Sequence, residues 1–147
     1  MKSSKKILFT DLEHFRTIDL RRIIYFITFI FSFILTEIGR FHYRPFIYEN
    51  NIKDFGIADS IGNLGGIVVQ IFFGLTILNS PRKKGVYIIV FFVVGYILYE
   101  IIQPLLPKGV FDWLDIYGTA LGGIVGLGFY MIINLITKTR NKVLYRF

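Results

Sequence analysis

Four runs of about 20 predominantly apolar residues, separated by short charged connections, constrain this chain more than any other feature. Each is long enough to cross a hydrocarbon core of about 30 Å as a helix. The predicted spans are Ile23–Ile38, Ile57–Leu78, Val86–Leu106 and Asp115–Ile136. Over the whole chain 54% of residues are hydrophobic and the mean hydropathy is +0.58, too apolar for a water-soluble domain of 147 residues, so a bilayer must be the solvent. The expected fold is an all-α membrane protein of about four transmembrane helices.

Orientation follows from Lys and Arg, which accumulate on cytoplasmic flanks. Lys2, Lys5, Lys6, Arg16, Arg21 and Arg22 precede the first span, Arg82, Lys83 and Lys84 lie between the second and third, and Lys138, Arg140, Lys142 and Arg146 follow the fourth. Only Arg40, Arg44, Lys53 and Lys108 fall in the other two connections. Both termini are therefore expected on the cytoplasmic side of the membrane. The net charge of +7 is explained by this topology. Nucleic acid is not an expected partner, because the basic residues flank apolar runs and form no solvated stripe. The organisation reads as a basic, interfacial segment over 1–22, a transmembrane domain over 23–136 and a basic tail over 137–147. Thr10 and Glu13 have capping-box spacing, and Leu8, Leu12, Phe15 and Ile18 share a helical face, which suits a short surface helix; an unstructured basic anchor is the alternative. No cleavage site ends the first apolar run, so it is expected to be retained. The chain has no cysteine, which excludes disulfides and thiolate chemistry, and no cofactor is implied.

Two hairpins look alike. Ile34-Leu35-Thr36-Glu37 resembles Ile97-Leu98-Tyr99-Glu100, with Arg40 and Gln103 three residues after each glutamate. The Asp59-Ser60-Ile61-Gly62-Asn63 stretch resembles Asp115-Ile116-Tyr117-Gly118-Thr119, and a Gly-Gly pair follows each. Since both hairpins start inside, a parallel repeat about an axis along the membrane normal is expected. Ala58, Gly62 and Gly66, and likewise Gly118, Gly122 and Gly126, recur every four residues, the small-xxx-small pattern by which membrane helices approach closely. The second and fourth helices should therefore cross near the protein centre.

Most acids fall toward the outer side. Counted from Ile23 and Val86, Glu37 and Glu100 each lie roughly 21 Å along their helices, inside the apolar slab. A charged side chain there costs about 2.5–3.5 kcal/mol on insertion scales, so it should face a partner or a wet cavity. The candidate ligand-binding set is Glu37, Arg40, Asp59, Asn63, Glu100, Gln103, Asp112 and Asp115, with His42 and Arg44 in the first outer loop nearby. Three readings stand. The side chains tie helices together; they bind a polar headgroup or sugar-peptide; or paired carboxylates act as general acid and base or hold Mg²⁺ or Ca²⁺. Asp54 and Asp112 also suit helix starts. Tyr43, Tyr48, Tyr99, Tyr117 and Trp113 fit an outer aromatic belt. The short loops and Phe-rich faces suit a scaffold subunit with membrane-protein partners.

Glu100-Ile101-Ile102-Gln103, Pro107, Phe111-Asp112, Asp115, Thr119, Gly122 and Gly126 resemble the C-terminal signature of VanZ-like membrane proteins. In that family a Glu-x-x-Gln element closes one helix and an Asp, Asn and Gly series opens the next. Asp59-Ser60-Ile61-Gly62-Asn63 is similar to a degenerate form of the family's Asp-Lys-x-x-His element, with Ser60 at the lysine, Asn63 at the histidine, and Thr119 at a common asparagine. The likeness covers most of Glu37 to Tyr130. It implies a bacterial cytoplasmic-membrane protein with a link to teicoplanin-type glycopeptide resistance, and an outward cavity would suit an envelope precursor or lipid headgroup. A metal-assisted membrane enzyme acting on a lipid-linked substrate is the alternative.

Overall fold

The computed structural model describes residues 19–107 and 109–144, with side chains described as far as Lys138. The expected surface helix around Thr10 and Glu13 lies outside them, as does the chain beyond Leu144. Among the described residues all regular structure is helical: α1 (Leu20–Ile38), a π-helical turn (Gly39–Tyr43), α2 (Arg44–Glu49), α3 (Ile57–Leu78), α4 (Arg82–Ile102), a 3₁₀ turn (Gln103–Leu105) and α5 (Trp113–Leu144). Four helical stretches, Leu20–Glu49, Ile57–Leu78, Arg82–Leu105 and Trp113–Lys138, are long and apolar enough to span a membrane.

The first stretch corrects the sequence reading. The segment holding Arg40, His42 and Arg44 is a helix rather than a loop, since the chain stays helical from Leu20 to Glu49. Pro45 has no N–H to give, and its ring crowds the carbonyl one turn back. A π turn widens the helix there, with the Arg44 N–H reaching back to the Gly39 carbonyl.

At the start of α3, Asp54 satisfies exposed backbone donors: Oδ2 accepts from Ala58 N (2.6 Å) and Oδ1 from Gly56 N (3.2 Å). Gly56 takes φ 79°, and a side chain on it would meet Leu114 Cδ2 at 2.9 Å. The carboxylate of Asp112 does the same work for α5, accepting from Leu114 N at 2.9 Å.

Helices α3 and α5 form the most extensive pairing in the bundle, with α1 and α4 packed on its flanks. The glycines make this possible on one side only. A methyl on Gly118 would lie 2.6 Å from the Ser60 carbonyl oxygen, one on Gly122 would strike the Leu64 carbonyl, and one on Gly126 would meet Ile71 at 2.9 Å. The corresponding stripe on α3 does not pack as its spacing suggests. Ala58 is buried, but Gly62 and Gly66 have nothing within 4 Å of where a methyl would stand, and Gly65 instead sits tight against Thr36 of α1.

The buried core is small: Tyr25, Ile67, Val68, Ile71, Phe72, Leu75, Ile89, Tyr130 and Ile133. Outside it the apolar side chains point away from the protein, among them Phe91, Ile124 and Leu135. That inversion of the soluble pattern suits a protein whose outer surface meets lipid chains.

The two ends differ. At the basic end, Arg22 Nε donates to the Thr76 carbonyl of α3 (2.9 Å), Arg82 Nη2 to Thr137 Oγ1 (3.1 Å), and Asn134 Nδ2 to the Tyr25 hydroxyl (3.0 Å). The Tyr130 hydroxyl donates to the Arg82 carbonyl, and its ring stacks on Tyr25 at 6.1 Å. These bonds join all four long helices. The acidic end is open.

Candidate functional site

At the acidic end a cavity of about 450 Å³ lies between α3, the N-terminus of α5 and the helical extension of α1. The π turn and α2 bring Arg40 and Arg44, α3 brings Asp59, Gly62 and Asn63, and the start of α5 brings Asp112 and Asp115. Four residues apart, Arg40 and Arg44 share one face of the extended helix. The open space beside Gly62 forms part of the lining; any larger residue would stand in the cavity.

Charge across this cavity is divided. Arg44 Nε donates to the Tyr48 hydroxyl (3.0 Å), which donates to Asp59 Oδ1, and the guanidinium lies 5.5 Å from the centre of the Tyr48 ring. Arg44 Nη2 stands 3.9 Å from Asp59 Oδ1, at the outer limit of an ion pair, with both side chains substantially exposed. Among the described residues, neither Asp112 nor Asp115 has a cation within ion-pair distance. Two cations and three carboxylates therefore share one lining, and among the described residues Asp112 and Asp115 have no ion-pair partner.

A second hollow of about 400 Å³ lies between α3 and α4, lined by Asn63, Gly95, Tyr96, Tyr99 and Glu100. Asn63 belongs to both spaces. Glu100 is only 3% exposed, and both of its oxygens are held: Oε1 accepts from Asn63 Nδ2 at 3.3 Å. With the Gln103 amide turned so that its nitrogen faces acceptors, it donates to Glu100 Oε2 and to the Val110 carbonyl, each at 2.8 Å. The Glu-x-x-Gln spacing thus places one buried carboxylate under the amide that pins the following loop.

Of the sequence candidates, Arg40, Asp59, Asn63, Asp112 and Asp115 meet at the cavity. Glu100 and Gln103 form a buried bonded pair beside it. Glu37 is not in the lining; its carboxylate pairs with Arg40 along the helix at 3.2 Å. Glu37 and Glu100, matched in the two hairpins, therefore have different surroundings. So do Asn63 and Thr119: Thr119 is fully buried and its hydroxyl finds no partner among the described residues. Sequence reasoning placed Tyr48 in an aromatic belt and Arg44 in a loop. Their spacing of four residues carries the signal, but only once the segment is known to be helical. Among the described residues no three acids or histidines stand close enough to hold a metal ion.

The chain matches no family model, no curated protein and no solved structure.

Proposed function

We propose that this chain is a VanZ-like protein of the bacterial cytoplasmic membrane, with both termini inside. Its outward-facing polar cavity binds the headgroup of a lipid or cell-envelope precursor, and through that ligand it bears on teicoplanin-type glycopeptide susceptibility. The carrying observation is the mixed-charge cavity, which Arg40 and Arg44 line together with Asp112 and Asp115, two carboxylates without an ion-pair partner among the described residues. Orientation rests on the Lys and Arg distribution, and the family reading on the Glu100-x-x-Gln103 and Asp112, Asp115, Gly122 series. The parallel repeat belongs to the same reading, with the matched acids of the two hairpins having diverged in role.

Within this reading the acids divide their labour. Glu100 is saturated by Asn63 and Gln103, so it holds α3, α4 and the following loop in place, while Asp59, Asp112 and Asp115 meet the ligand. Native mass spectrometry of protein released from its own membrane tests this. Wild type carries a specific adduct that Gly62→Leu, which fills the cavity, and Asp115→Asn both lose. If wild type and both variants carry the same adducts, the cavity is not a ligand site.

A further inference from the structure

The hollow between α3 and α4 bears on what kind of ligand reaches the cavity. Gly95 lies seven residues before the end of α4 at Ile102, about 10 Å along the helix axis, and thus at hydrocarbon depth in a spanning helix. Gly95 and Tyr99 are exposed, and nothing stands within 4 Å of where a methyl on Gly95 would be. This hollow therefore opens sideways, where lipid chains lie, and Asn63, bonded to Glu100 at 3.3 Å, lines both it and the charged cavity. A solute arriving from water has no use for an opening at that depth. A molecule with its headgroup in the cavity and its chains in the bilayer needs one.

The charge pattern narrows the headgroup. Arg40 and Arg44 line the cavity with planar donors that suit phosphate oxygens, beyond the contacts that Arg40 makes with Glu37 (3.2 Å) and Arg44 with Tyr48 (3.0 Å). In the same lining, Asp112 and Asp115 have no ion-pair partner among the described residues, and Asp59 holds Arg44 only at 3.9 Å. A primary ammonium a few bonds from the phosphate would supply what they lack, and a volume of about 450 Å³ is within the range of small-ligand sites. An anionic headgroup would satisfy the arginines and leave the carboxylates facing like charge.

We infer that the ligand of the outer cavity is a membrane lipid with a zwitterionic aminophosphate headgroup, which passes laterally between α3 and α4 through the hollow at Gly95. This rests on the reading of that cavity as a ligand site, and the test separates the two. The full chain, purified in detergent, is loaded with phosphatidylethanolamine, with phosphatidylglycerol of the same acyl chains, or with soluble glycerophosphoethanolamine, and retained ligand is measured by native mass spectrometry. Wild type holds phosphatidylethanolamine at least tenfold better than phosphatidylglycerol. Gly62→Leu loses both ethanolamine ligands, and Gly95→Phe loses the lipid but keeps the soluble headgroup. Both substitutions point into open space, and circular dichroism establishes that the variants are folded. Equal retention of the two lipids, or a Gly95→Phe protein that still holds phosphatidylethanolamine, overturns the inference. If Gly62→Leu strips a co-purifying ligand of another kind while phosphatidylethanolamine is never held, the cavity reading stands and the inference falls.

Discussion

Gly62 and Gly122 stand in matching small-residue stripes, yet adding one methyl to each should change stability in opposite directions. At Gly122 the methyl would strike the Leu64 carbonyl oxygen and Ile67 Cγ2, with the Leu64 carbonyl carbon at 3.0 Å. A backbone cannot swing aside as a flexible side chain does, so α3 and α5 must separate locally. Overpacking of this kind costs about 1–3 kcal/mol. At Gly62 the methyl meets nothing within 4 Å, and only the gain in helix propensity remains, about 0.5–1 kcal/mol. That propensity gain is common to both sites, so the difference between Gly62→Ala and Gly122→Ala isolates the clash, about 1–3 kcal/mol or a factor of roughly 5 to 150 in the folding equilibrium. Reversible unfolding by sodium dodecyl sulfate in mixed micelles measures it. The single tryptophan, Trp113, set edge-on to Phe111 at 5.0 Å at the start of α5, provides a fluorescent probe. Equal stabilities for the two variants, or a Gly62→Ala protein that is the weaker of the pair, would refute both the α3–α5 contact and the open space that forms the cavity.

Further outcomes are expected elsewhere. Asn63→Leu strips a hydrogen bond from the buried carboxylate of Glu100 and should destabilise the fold by about 1.5–3 kcal/mol. A double-mutant cycle with Glu100→Gln should return a clear coupling, and strict additivity would mean that the bond contributes nothing. Tyr130→Phe removes the bond to the Arg82 carbonyl at the far end, costing about 0.5–1.5 kcal/mol, and should leave ligand retention at the cavity unchanged. Since the chain lacks cysteine, His42→Cys and Lys83→Cys each provide a single labelling site. A membrane-impermeant maleimide should reach His42→Cys in intact cells and Lys83→Cys only after permeabilisation; the reverse pattern would place the cavity inside.

The spans were legible because a bilayer leaves the chain little freedom: the stretch read as Ile57–Leu78 is helix α3 residue for residue. Length and hydropathy do not report where a helix continues into the interface, which is why the first span, read as ending at Ile38, runs on through Pro45 to Glu49. Gly39 and Pro45 are ordinary breakers, and the π turn, a property of the assembled backbone, lets the helix continue through them. The site was half legible. Polar residues inside apolar runs identify themselves by their cost, hence Asp59, Asn63, Glu100 and Asp115. Spacing alone does not assign the partner, so Glu37 read as equivalent to Glu100 although one pairs along its own helix and the other is buried between α3 and α4. Nor does spacing reveal which glycines of a stripe face a neighbour; Gly62 and Gly122 separate only when the helices are placed.

The asymmetry of the two ends argues for where function lies. In a four-helix bundle with a small buried core, an end that holds an open charged cavity gives up packing there, and the loss must be offset elsewhere. The basic end supplies that offset: its hydrogen bonds run α1 to α3, α1 to α5 and α4 to α5, with Tyr25 stacked on Tyr130 and tilted against Phe72. Were the acidic residues there only to join helices, the same economy would apply at both ends, and Asp112 and Asp115 would each bond to a neighbouring helix as Glu100 bonds to Asn63. Among the described residues Asp112 caps its own helix and Asp115 has no ion-pair partner, while Glu100 beside them has both oxygens satisfied. A chain that saturates one carboxylate there and leaves Asp115 at the cavity without an ion-pair partner among the described residues fits the ligand reading proposed above better than a purely structural one.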